Sequence, residues 1–133
     1  MSTLYRDNAI IPQTPAANMS DKKGYLVTID GDEATLSASA TTVANGVVIE
    51  PNDTAAGYAA EKVSVAILGA VKGTVPMRCG GSITAGARVQ QHTDGTILTD
   101  AGTSARVIVG VALQDGVAGE NIEVAPLTPT VLA

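Results

Sequence analysis

The sequence predicts an all-β protein, a small β-barrel or sandwich of about eight short strands with an extended N-terminal arm. Three observations predict it. Runs rich in Val, Ile and Thr recur along the chain, separated by Gly, Asp and Asn about every ten residues. Ala (21), Val (15), Thr (15) and Gly (14) make up about half of the 133 residues, while Phe and Trp are absent and Tyr5, Tyr25 and Tyr58 are the only aromatics. No stretch carries the apolar spacing of an amphipathic helix. Aromatic side chains normally supply much of a domain's burial energy. Without them the core must be thin and built from small and β-branched residues, and burial between subunits would supplement it.

The elements follow in order. Residues 1–20 contain Pro12 and Pro15, which disfavour helix, and an apolar patch at Ala9, Ile10 and Ile11. Nothing there alternates long enough to predict a strand, so 1–23 is expected to be an arm. A merely solvating tail carries few large apolar residues. Leu4, Tyr5, Ile10 and Ile11, with Pro12 and Pro15, are therefore the expected contacts to a partner or a sister subunit. A domain over 24–126 follows. Residues 24–30 (GYLVTID) place Tyr25, Val27 and Ile29 on one face, and Asp30-Gly31-Asp32 reads as a tight turn. Strands are expected over 34–39 and 46–50, then a loop over 51–60 with room for a short helical turn. Residues 62–68 align Val63, Val65 and Ile67, and 71–79 align Val75 with Met77; Gly69 and Gly73 between them mark a bend. Strands over 88–91 and 96–99 straddle His92-Thr93-Asp94-Gly95, a hairpin signal. The run 105–113 (ARVIVGVAL) is the most apolar and should be central. A strand over 121–125 closes the pattern, and the two prolines of 126–133 predict that the C-terminal tail, 127–133, leaves the sheet.

Charge and cysteine content narrow the function classes. The chain carries eight Lys+Arg against thirteen Asp+Glu, a formal net charge of −5. Nucleic-acid binders need basic stripes and often stacking aromatics, so direct binding to DNA or RNA is not expected. The single Cys79 excludes an internal disulfide and suits folding in a reducing cytoplasm. No secretory leader is expected from the N-terminal residues, and no apolar run is long enough to predict a membrane span.

Candidate chemistry is sparse. The one histidine, His92, would have to pair with Cys79 or Ser104 as base and nucleophile, and no motif surrounds either. Asp30, Asp32 and Glu33 could meet a hard cation, but the spacing lacks the further ligands of a calcium loop; a solvated acidic turn is the simpler reading. A biotinyl-type carrier would need a lysine where Val75-Pro76-Met77-Arg78-Cys79 has Arg78. Catalytic residues, metal and cofactor are all expected to be absent.

The run Gly80-Gly81-Ser82-Ile83-Thr84-Ala85-Gly86-Ala87-Arg88-Val89 reads as an apolar residue, a turn to glycine and a valine strand. Asp94-Gly95 follows, then Val109-Gly110-Val111-Ala112-Leu113, then Ala118-Gly119-Glu120-Asn121-Ile122-Glu123-Val124. This series resembles the small β-barrel capsid decoration, or cement, proteins of tailed phages, closely over 62–125 and loosely over 24–61. The resemblance implies a structural virion protein, not an enzyme, made in the host cytoplasm and placed on the outer capsid surface. Its partners would be the lattice of major capsid subunits and other copies of itself, with a trimer favoured over a dimer. Two alternatives stay open: another virion β-module, such as a fibre, spike or tail component, and a small-ligand-binding barrel.

Overall fold

Residues 9–51 and 62–133 are described by the computed structural model, and they form ten strands with no helix among them. The strands are β1 (Ile10–Pro15), β2 (Leu26–Asp30), β3 (Glu33–Leu36), β4 (Gly46–Glu50), β5 (Val63–Ile67), β6 (Val75–Arg78), β7 (Arg88–Gln91), β8 (Ile97–Thr99), β9 (Arg106–Ala112) and β10 (Asn121–Leu132). The all-β class expected from composition and periodicity is the fold observed.

Two sheets divide the strands. The first closes into a barrel in the order β1-β3-β2-β4-β5, and the second runs β6-β10-β9-β7-β8. The second sheet curls until Cys79, just past β6, bridges Ile97 at the start of β8, with the Gly80 N–H donating to the Ile97 carbonyl at 2.8 Å. Curling in this way shields much of the exposed strand edge. The most apolar run, β9, is the central strand of its sheet, as its lack of alternation predicts.

Two stretches differ from the sequence expectation. Ile10–Pro15 is a barrel strand, where an arm was expected. Ile10, Ile11, Pro12 and Gln13 pair antiparallel with β5, and Thr14 and Pro15 then pair parallel with β3. The prolines fit because they fall where no donor is required. Toward β3 the donors are Thr14 and Ala16, bonded to the carbonyls of Asp32 and Ala34, and Pro15 lies between them. Toward β5 the Ala9 carbonyl accepts from Ile67, which sets the hydrogen-bonded pairs at odd-numbered residues and leaves Pro12 between two of them. The second difference is at the C-terminus. The stretch 127–132 stays in the sheet as the end of β10, where Thr130, Val131 and Leu132 pair with Ile108, Val107 and Arg106. An irregularity between Pro126 and Thr130 absorbs both prolines.

The core is double. Met19, Val27, Ala34, Val48, Val63 and Val65 fill the barrel. Leu26, Val47, Ala66 and Leu68 point the other way, into a larger cluster with Val75, Met77, Val89, Ile97, Val107, Val109 and Val124 of the second sheet. Alternation in β2, β4 and β5 therefore feeds both clusters, which is why β4 reads as a nearly continuous apolar run. The largest fully buried side chains are Leu26, Met77, Ile97 and Gln91, so the core is as thin as the missing aromatics predict.

Candidate functional site

Of the residues singled out in the N-terminal stretch, the four that are described do not gather into one exposed surface. Leu4 and Tyr5 lie outside the described residues. Ile10 packs, half-buried, against the core between the sheets. Ile11 stands opposite Val65, and Pro15, which is buried, stands opposite Ala34; both of those partners belong to the barrel cluster. Of the four described, Pro12 alone is exposed.

The titratable candidates are also scattered. Cys79 is buried beside the turn that carries Gly116, where an added Cβ would stand 2.8 Å from its Sγ. Burial first, then Glu120, push the Cys79 thiol up, with Arg78 pulling the other way, so the thiol stays neutral near pH 7. Ser104 sits in an exposed turn with a positive φ of 66°, and no hydrogen bond among the described residues joins His92 to Ser104 or Cys79. No three His, Cys, Asp or Glu side chains converge on a point where a metal could sit among the described residues, Asp30, Asp32 and Glu33 included. The described residues form no pocket.

A more organised feature lies where the two sheets meet. The stretch from Gly24 to Leu26 threads the seam. The Gly24 N–H donates to the Val48 carbonyl of β4 at 2.7 Å, and the Gly24 carbonyl accepts from Arg78 of β6 at 2.9 Å. The Leu26 N–H donates to the Gly95 carbonyl in the β7–β8 turn at 2.8 Å. Tyr25 is thereby fixed on the outside of the seam. Gly95 lies close under its ring: a Cβ there would stand 3.1 Å from Tyr25 Cδ2 and 3.1 Å from Leu36 Cδ1. Over the ring stand two cations, Lys22 Nζ at 4.8 Å and Arg78 Cζ at 5.8 Å from its centroid.

Sequence reasoning placed Tyr25 on a strand face and saw Arg78 only as the wrong residue for a carrier motif. The one local signal was the Lys22-Lys23-Gly24-Tyr25 string. Arg78 joins it through tertiary structure alone.

Acidic groups near the seam are engaged in their own turns. Burial raises the Asp94 carboxyl, but the Thr96 hydroxyl and N–H, together with His92, outweigh it and hold the group below its ordinary value. Glu120 accepts from the Val117 N–H at 3.0 Å. Elsewhere the surface exposes Leu113, Val117, Leu127 and Val131 on or beside β9 and β10, scattered apolar exposure of an ordinary kind.

No protein-family model matches the chain, and no curated protein matches it significantly.

Proposed function

We propose that the protein is a structural component of a phage virion that binds the outside of an assembled capsid and clamps neighbouring major capsid subunits. The observation that carries this reading is the glycine and valine series from Gly80 to Val124, which resembles capsid decoration proteins and runs along β7, β9 and β10. The acidic composition, with a net charge of −5, suits a soluble exterior surface.

In this reading the chain has no chemistry of its own. The contact residues are Leu4 and Tyr5, ahead of the barrel, with Pro12 on the exposed side of β1. An extended segment that pairs with a sheet edge or fills a groove loses conformational entropy when it orders, so one such contact is weak. An oligomer presenting several of them gains avidity without a new type of contact. A trimer on a local three-fold axis is the natural clamp, ahead of a dimer.

Co-sedimentation with purified, assembled tailed-phage heads tests the reading. The full chain should pellet with heads at a fixed copy number per head, and a chain lacking residues 1–8 should pellet far less. Failure of the full chain to pellet with any head preparation would overturn the proposal. Equal pelleting of both chains would remove the N-terminal contact and leave the class standing.

A further inference from the structure

We draw no further inference here: the strongest candidate, the edge of β10 past the end of its pairing with β6 at Val124, where Thr130, Val131 and Leu132 pair with β9 on one side and Val131 stands exposed, is an unpartnered strand edge, and nothing in the structure shows what covers it.

Discussion

Two buried glutamines illustrate opposite costs of polarity in this core. Gln91 is fully buried and uses its whole amide: Oε1 accepts from the Ala44 N–H at 2.7 Å, and Nε2 donates to the carbonyls of Thr42 and Ser39 at 2.9 and 3.0 Å. It thereby latches the stretch 39–44 onto β7. Gln13 is 5% exposed; its Nε2 reaches the Pro12 carbonyl at 3.2 Å, while its Oε1 has no partner. Substituting methionine, similar in volume, should act in opposite directions. Gln91→Met strands one N–H and two carbonyls and should cost about 3 kcal/mol, whereas Gln13→Met removes an unpaired acceptor and should be neutral or stabilise by about 1 kcal/mol. Urea melts of the two variants would decide it, and an equal loss in both would sink the argument. Asp100 is a third residue with a measurable part. It accepts from the Gly102 N–H at 2.9 Å and pairs with Arg88 at 2.8 Å and with the buried guanidinium of Arg106. The Gly102 N–H first, then Arg106 and Arg88, hold its carboxyl below the ordinary range, against the opposing effect of burial. A folded-state value below the unfolded one, about 3.9, means the stabilisation is complete above about pH 5 and is lost as pH falls through the folded value. Asp100→Asn should therefore cost about 3 kcal/mol at pH 7, because Arg106 is left without its carboxylate. The gap between variant and parent should close in acid. A gap that stayed constant down to about pH 2.5 would assign the loss to something other than this carboxylate.

At the scale of elements, β1 decides how the N-terminus can be manipulated. Removing residues 1–8 takes away none of the described strands, and the remaining chain should keep its melting temperature. Removing residues 1–20 deletes β1, breaks the closure between β5 and β3, and exposes two strand edges to solvent and to other chains. That shorter chain should lose its cooperative thermal transition and aggregate; if it melted like the full chain, β1 would not close the barrel. The same strand shows where the sequence was readable. Strands β2 and β4 to β9 were legible because each has a valine or isoleucine pattern bounded by glycine or acidic turns, as in Val63-Ser64-Val65 before Gly69. In β1 the period was hidden, because Pro12 and Pro15 signal a break and only the pairing register reveals that neither owes an N–H to a neighbour. Pro126 and Pro129 misled in the same way, since the irregularity that accommodates them depends on β9 lying alongside. The Tyr25 patch was half legible. Lys22, Lys23 and Tyr25 are neighbours in sequence, but Arg78 reaches the ring only because β6 hydrogen-bonds to Gly24.

At the scale of the whole molecule, the shared wall decides whether two sheets make two folding units or one. Val27, Val48 and Val65 face the barrel, while Leu26, Val47 and Ala66, their chain neighbours, face the second sheet. Neither cluster can lose this wall and keep its core. The seam adds backbone hydrogen bonds from Gly24 and Leu26 to both sides, and Gln91 ties β7 to the loop that leads into β4. Unfolding should then be a single transition, in which amide protection in β9 and in β4 disappears at the same denaturant concentration. Leu26→Ala probes the coupling directly, because Leu26 is fully buried on a barrel strand yet packs into the other cluster. Truncating it should cost about 3 kcal/mol and move both sets of amides together. If β9 lost protection earlier while β4 stayed protected, the second sheet would be an independent unit docked on the barrel, and the thin core would be two marginal domains instead of one. Joint loss would mean that a chain without Phe or Trp holds itself together by using three strands twice, with each face of the wall stabilising a different sheet.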